Sequence, residues 1–273
     1  MAGRLEGKVA FITGAGRGQG RAHAVRMASE GADIIAVDIC RQIESNNYPL
    51  ATPEDLQETE RAVKELDRRI VARQADVRER SELRDALEAG VTDLGRLDIV
   101  VANAGILPMA LGDPHASDFV DATDVDLLGV MNTVAVSLPH LPDGASVIIT
   151  GSTAGLMPGT TDNPVMGPGG DGYGWSKRTL VGYSEQMALH LASRFIRVNT
   201  IHPGPVDNSF QAAVEDQVGK IIGRDATRFF NEMIPLGRHG SPDEIARSVL
   251  YLASDQSSFT TGAMLMVDGG MGS

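Results

Sequence analysis

The segment Val9-Ala10-Phe11-Ile12-Thr13-Gly14-Ala15-Gly16-Arg17-Gly18-Gln19-Gly20 reads as an apolar strand that runs into a glycine-rich turn and opens a helix. In that setting Gly14, Gly18 and Gly20, with Arg17 and Gln19 between them, let backbone N–H groups approach a pyrophosphate at a helix N-terminus, where the helix dipole favours negative charge. Taken alone, the glycine pattern fits an ordinary tight turn equally well. The next apolar run, Ile34 to Val37, leads into Asp38, eighteen residues beyond Gly20. A carboxylate there accepts hydrogen bonds from the ribose hydroxyls of an adenosine and repels a 2′-phosphate. The combination predicts a parallel α/β sheet carrying NAD in preference to NADP, with Arg17 as a basic residue that partly offsets the repulsion.

Outward from this point the same grammar repeats. β-branched and aliphatic runs near 8–13, 33–38, 70–76, 98–102, 146–150, 197–201 and 264–267 alternate with longer segments of helical character. That alternation predicts a doubly wound, seven-stranded parallel sheet of the Rossmann type, in a single domain spanning 1–273. Two helix starts carry capping chemistry, Thr52-Pro53-Glu54-Asp55 and Ser241-Pro242-Asp243-Glu244, where a hydroxyl precedes proline at the first helical position. Leu156 to Asp171 holds four glycines and three prolines within sixteen residues and is expected to be loop. Residues 40–51 form a second irregular stretch, longer than most strand-to-helix connections, and leave the sheet beside the adenosine end of the cofactor. Tyr48, Pro49 and Leu50 are expected to fold over that end.

Thirty-six acidic against twenty-four basic side chains give a formal charge of −12, a field that repels nucleic acid and anionic lipid surfaces. The apolar runs are all too short to span a bilayer, no apolar stretch precedes the first strand, and a single cysteine makes no internal disulfide. A cytoplasmic protein without membrane partners is the expectation. Cys40, at a strand end, reads as a small buried apolar residue rather than a reactive thiol. The six histidines, His23, His115, His140, His190, His202 and His239, lack short metal-ligand spacing, so no metal is called for.

Thr13-Gly14-x-x-x-Gly18-x-Gly20, Asp76-Val77, Asn103-Ala104-Gly105, Ser152, Tyr173-x-x-x-Lys177, Arg197-Val198-Asn199 and Pro203-Gly204 follow one another in the order of the short-chain dehydrogenase motifs. With Gly237-Arg238, Thr261-Gly262 and Val267-Asp268-Gly269-Gly270 near the end, the resemblance to that family covers nearly the whole chain. It implies that Asp76 and Val77 contact adenine and that Asn103, Ala104 and Gly105 flank the cofactor. Ile39 beside Asp38, and Pro203, Gly204 and Val206 at the far end, are implied contacts as well. Asp38-Ile39-Cys40 followed by Tyr48-Pro49-Leu50-Ala51-Thr52-Pro53 resembles the mycofactocin-associated, carveol dehydrogenase-like subgroup. That likeness implies a cofactor-covering loop, tightly held NAD reoxidised in place, and an external redox acceptor.

Oxidising an alcohol requires a base for the hydroxyl proton and a hydride acceptor at the carbinol carbon. Tyr173 is the expected base, and a free phenol, with a pKa near about 10, needs an adjacent cation to ionise. Lys177, four residues on along a helix, shares its face and supplies that cation while reaching the nicotinamide ribose. A Tyr–Lys pair alone would more often be surface neighbours; the upstream motifs decide for chemistry. Ser152 would orient the substrate oxygen.

Two departures from the family stand out. Asp126 occupies the place of an asparagine that bends a helix and holds a relay water, and an ionised carboxylate there competes for the charge of Lys177. Asn208 replaces a threonine that binds the nicotinamide carboxamide. Beyond it, 207–234 forms a predicted substrate lid with Phe210, Val214, Ile221, Ile222, Phe229, Phe230 and Met233, although these side chains would serve internal packing or a subunit contact equally well. An apolar lid suggests a small lipophilic alcohol or ketone as partner. The resemblance further implies a homotetramer built on the helices carrying Asp126 and Tyr173. A 3-oxoacyl-carrier-protein reductase, disfavoured by Asp38 and the acidity, and a non-catalytic NAD-binding regulator are the competing readings.

Overall fold

The computed structural model describes residues 3–109, 115–156 and 167–273. Strands β1 (Val9–Thr13), β2 (Asp33–Asp38), β3 (Ile70–Gln74), β4 (Ile99–Ala102), β5 (Ser146–Thr150), β6 (Arg197–Pro203) and β7 (Met264–Val267) form one sheet in the order β3-β2-β1-β4-β5-β6-β7, every pair parallel. Parallel pairing needs crossovers, and helices fill them: α1 (Gly18–Ser29), α2 (Pro53–Lys64), α3 (Arg80–Leu94), α4 (Ala116–Thr123), α5 (Val130–Ser137), α6 (Gly167–Leu191), α7 (Ser209–Ile222), α8 (Ala226–Met233) and α9 (Pro242–Ala253). Every residue of β1, β2, β4 and β5 is buried, which explains why these strands read as continuous aliphatic runs rather than alternating ones. Their alternate residues feed two cores. Phe11, Ile35 and Val100 join Leu83, Leu87 and Val134 on one face, while Ala10, Ile12 and Ile34 meet Met27, Val249 and Leu250 on the other.

The predicted caps form in full. Thr52 and Ser241 each accept a bond from the third helical N–H while Asp55 and Glu244 reach back, with proline inside the first turn. Two strand ends differ from the sequence reading. β3 stops at Gln74, so Asp76 lies beyond it, and β6 runs on to Pro203, so His202 belongs to the sheet.

The Gly/Pro-rich segment requires a correction. Residues 157–166 lie outside the described residues, but Gly167–Asp171 are the first turns of α6, not loop. The glycines there serve packing. A Cβ on Gly169 would stand 2.0 Å from the Pro108 carbonyl oxygen, and one on Gly172 would stand 2.7 Å from that of Phe119 in α4. Close approach of two backbones, rather than a turn, selects glycine at these places.

Because β1 connects outward to β2 and β3 on one side and the chain later returns to β4 on the other, the strand order reverses between β1 and β4. Side chains at the carboxyl ends of the strands therefore face a crevice, the usual ligand site of such sheets. Among the described residues no helix is long and apolar enough to cross a membrane.

Candidate active site

A cavity of about 500 Å³ opens over that crevice. Every residue singled out from the sequence for cofactor or catalysis borders it, from Gly14 and Asp38 at one end to Ser152, Asp126, Tyr173, Lys177 and Asn208 at the other.

At the nucleotide end the glycine turn is as tight as its composition suggests. Gly14 has φ +66°, and a Cβ there would lie 2.8 Å from Ala104 Cα; one on Gly20 would lie 1.9 Å from the Gly14 carbonyl oxygen. Helix α1 begins at Gly18 with no side chain capping it, so its first N–H groups remain available to an anion in the cavity. That is the donor set a pyrophosphate requires. Asp38 closes this end: Oδ2 accepts from Gly16 N–H at 2.8 Å and Oδ1 from Cys40 N–H at 3.2 Å. Burial raises its pKa, which those two bonds and nearby Arg17 oppose. Each carboxylate oxygen retains a further lone pair, so the group can still accept from ribose hydroxyls. Asp76 behaves differently, because its buried carboxylate pairs with Arg41 at 3.0 Å and Arg78 at 2.7 Å. Burial alone would raise the Asp76 pKa, but the two guanidiniums hold it below the ordinary value. Asn103 joins three strands: its N–H donates to Thr13 Oγ1 at 3.1 Å, its amide to the Thr13 carbonyl at 3.1 Å, and its Oδ1 accepts from Thr150 at 3.3 Å.

The 40–51 stretch lies along the cavity and reaches further than the sequence suggests. Arg41 anchors its start to Asp76, and the Arg17 side chain donates to the Pro49 carbonyl, so Arg17 ties the glycine turn to this loop. Tyr48 continues toward the catalytic end. Its buried hydroxyl accepts from Leu107 N–H at 3.2 Å, and its ring meets Phe210 of α7 edge-on at 5.6 Å between centroids. Phe210 in turn lies 6.2 Å from the Tyr173 ring. Cys40 is buried, with its thiol pushed up to about 12 by burial and by Asp38, Asp55 and Glu54, so it is an inert packing residue as expected.

At the catalytic end Tyr173 and Lys177 share one face of α6, with Nζ 5.4 Å from the phenol centroid. Ser152, just past β5, borders the cavity beside Tyr173, and its hydroxyl favours ionisation of the phenol. Nζ donates to the Thr150 carbonyl at 3.1 Å and stands 3.0 Å from Asp126 Oδ1. Asp126 is fully buried within a π-helical turn, Asp124–Gly129, between α4 and α5, and its Oδ2 accepts from Ile106 N–H at 3.2 Å. That turn interrupts the α-helical hydrogen bonding between α4 and α5 and holds the carboxylate in the interior. Gly105 makes room for the pair, since a Cβ there would lie 2.5 Å from Oδ1.

The electrostatics carry the expected competition between Asp126 and Tyr173 for the charge of Lys177. Burial raises the Tyr173 pKa, Lys177 lowers it, and Asp126 raises it again, leaving it above the ordinary value. Burial alone would lower Lys177, but Asp126 and Tyr173 keep it raised, so it remains an ammonium. Asp126 is lifted to about 6 by burial, against the pull of Lys177.

Asn208 caps α7, its Oδ1 accepting from Gln211 N–H at 2.9 Å, which leaves its amide nitrogen as the group able to meet a carboxamide. Helices α7 and α8 form the expected apolar wall. Leu107, Met109, Val214 and Val218 pack with Phe210, Ile222, Phe229 and Phe230 above Tyr173. Of the seven lid residues named from sequence, Ile221 faces away and does not border the cavity. Sequence reasoning missed Thr150, whose contribution is a backbone carbonyl, and Ile106 and Leu107, which contribute N–H groups. It also missed His202, buried behind Ser152, with one ring nitrogen 2.8 Å from Thr200 Oγ1 and the other 3.2 Å from the Ser152 carbonyl. Only the last carried a side-chain signal.

A family model described as enoyl-(acyl carrier protein) reductase matches residues 14–272. An uncharacterized oxidoreductase of Mycobacterium tuberculosis is 46% identical, over 97% of this chain and 96% of that protein. The (-)-trans-carveol dehydrogenase of Rhodococcus erythropolis is 34% identical over 98% of each chain. Among solved structures, carveol dehydrogenase from Mycobacterium avium in complex with NAD superposes with a TM-score of 0.90 at 40% identity, covering 98% of this chain and 99% of that one. Together with the ordered motifs and the all-parallel sheet, these matches establish that the chain belongs to the short-chain dehydrogenase/reductase family.

Proposed function

We propose that the chain is an NAD-dependent oxidoreductase that interconverts a lipophilic secondary alcohol and its ketone. The observation that carries this reading is one cavity with Asp38 and an uncapped helix at one end, and Ser152, Tyr173 and Lys177 under an apolar wall at the other. Bound NAD supplies the hydride acceptor. Ser152 holds the substrate oxygen, Tyr173 takes its proton, and Lys177 keeps the phenolate from being an isolated buried negative charge. Asp38 and Asp76 bracket the adenosine, with Ile39 and Val77 against the ring, while Pro203, Gly204, Val206 and Asn208 border the nicotinamide end. Phe210, Phe229 and Phe230 exclude water and favour a ring-shaped hydrocarbon body, in keeping with the carveol dehydrogenases among its relatives.

Loop 40–51 would hold NAD in place. It is anchored at Asp76, at the glycine turn through Pro49 and at the catalytic end through Tyr48, so release requires several contacts to open together. That supports reoxidation of bound NADH by an external acceptor, the mycofactocin-type arrangement. Exposed Val120, Leu128 and Trp175 on α4, the π-helical turn and α6 suit a homotetramer interface. The 3-oxoacyl-carrier-protein reductase reading is weaker because Asp38 disfavours NADP. The test is to purify the protein without added nucleotide and identify what is released on denaturation by mass spectrometry. Alcohol oxidation is then assayed with soluble NAD and with an artificial electron acceptor. NAD recovered with the protein, and turnover restored by the acceptor, support the proposal; nucleotide-free protein that turns over with NADP alone defeats it.

A further inference from the structure

The side chain that departs from the family sits where it changes the proton balance. Asp126 Oδ1 is 3.0 Å from Lys177 Nζ and has no other partner among the described residues, while Oδ2 is held by Ile106 N–H. Neither Asp126 nor Lys177 is open to solvent. The titratable groups facing this carboxylate are Lys177 and Tyr173 on α6 and Tyr48 from the loop, while His202 on β6, behind Ser152, is held below its ordinary pKa by burial and by the Lys177 charge. One lysine charge is therefore shared by two acids, a phenol and a carboxyl. If Asp126 is ionised it opposes ionisation of Tyr173; if it is protonated, the whole ammonium charge serves the phenolate.

We infer that Asp126 and Tyr173 share one proton across Lys177, and that Asp126 stores it inside the protein during alcohol oxidation. The step rests on the dehydrogenase reading above. The Tyr173 O–H bond breaks as its proton passes through an intervening hydroxyl or water to Lys177, which gives one of its own N–H protons to Asp126 Oδ1, 3.0 Å away. The substrate O–H proton then passes to the phenolate while the carbinol C–H bond breaks and its electron pair leaves with the hydride to NAD. The protein ends one proton richer, at Asp126, and the two electrons reside on the nicotinamide. Ketone reduction runs the same sequence backward. Because hydride and proton both stay, the net charge of the buried site is unchanged across the reaction, whereas expelling the proton would alter it by one unit in a low-dielectric interior.

The test compares holoenzyme loaded with NAD against the same protein loaded with NADH, by infrared difference spectroscopy and by counting protons exchanged with a weakly buffered indicator dye near neutral pH. The expected result is a protonated-carboxyl C=O band in the NADH form, with close to one proton taken up relative to the NAD form. Both signals should vanish in Asp126→Asn. A wild-type NADH form without that band, or without proton uptake, overturns the inference, and this outcome needs no variant to fold. A merely structural Asp126 would leave both readouts flat. Failure to bind either nucleotide would instead sink the dehydrogenase reading.

Discussion

Tyr48→Phe removes one oxygen atom and isolates what fastens the 40–51 loop. The phenol oxygen is the acceptor for Leu107 N–H at 3.2 Å, and the ring contact with Phe210 at 5.6 Å survives the substitution. Leu107 and Tyr48 are both buried, at 3% and 6% exposure, so water does not readily replace the lost acceptor. A buried donor left unpaired costs about 1–3 kcal/mol. If NAD leaves only when this loop lifts, that cost is removed from the opening step, and dissociation accelerates by roughly 5- to 150-fold, at about 1.4 kcal/mol per factor of ten. The assay is a chase of labelled NAD from the holoenzyme, with the protein's thermal transition recorded alongside. Unchanged release, in a variant as stable as wild type, would refute the idea that Tyr48 latches the loop over the cofactor.

Asp38→Ala should weaken NAD more than NADP and shift their affinity ratio by roughly tenfold, since a ribose acceptor is lost and a charge that repels a 2′-phosphate is removed; titration of both nucleotides checks this, and equal losses argue that Asp38 only braces Gly16. Gly169→Ala forces a Cβ to within 2.0 Å of the Pro108 carbonyl oxygen and should cost about 1–3 kcal/mol, read as a lower Tm; an unchanged Tm would mean that α6 is not packed there as described. Asp126 is lifted from 3.8 to about 6 in the folded chain, chiefly by burial. A carboxyl with a raised folded pKa is more stable protonated, so wild type should lose stability relative to Asp126→Asn as pH rises from about 4 through about 6. Parallel melting curves across that range would contradict a buried, titrating Asp126.

The glycine turn, Asp38, Tyr173 and Lys177 were legible because their chemistry depends on residue type at fixed spacing along single elements. So were the strands, since burial on both faces demands continuous aliphatic runs. Gly169 misled, because the same residue serves a turn and a close backbone contact, and only the position of Pro108 distinguishes the two. The effect of Asp126 on Tyr173 was visible as a departure, but its outcome depends on burial and on a 3.0 Å approach across two elements that no local pattern encodes. The reach of Tyr48 to Leu107 and Phe210 joins parts of the chain far apart in sequence and was likewise hidden.

The most direct test of the central claim is a single turnover of the purified protein with its bound nucleotide, following NADH absorbance after addition of carveol or related cyclic secondary alcohols. Wild type should reduce one equivalent of bound NAD, and Tyr173→Phe, which keeps the pocket but lacks the proton acceptor, should reduce essentially none while binding NAD as before. Reduction at an equal rate in Tyr173→Phe, or none in wild type across the alcohols, would contradict the account.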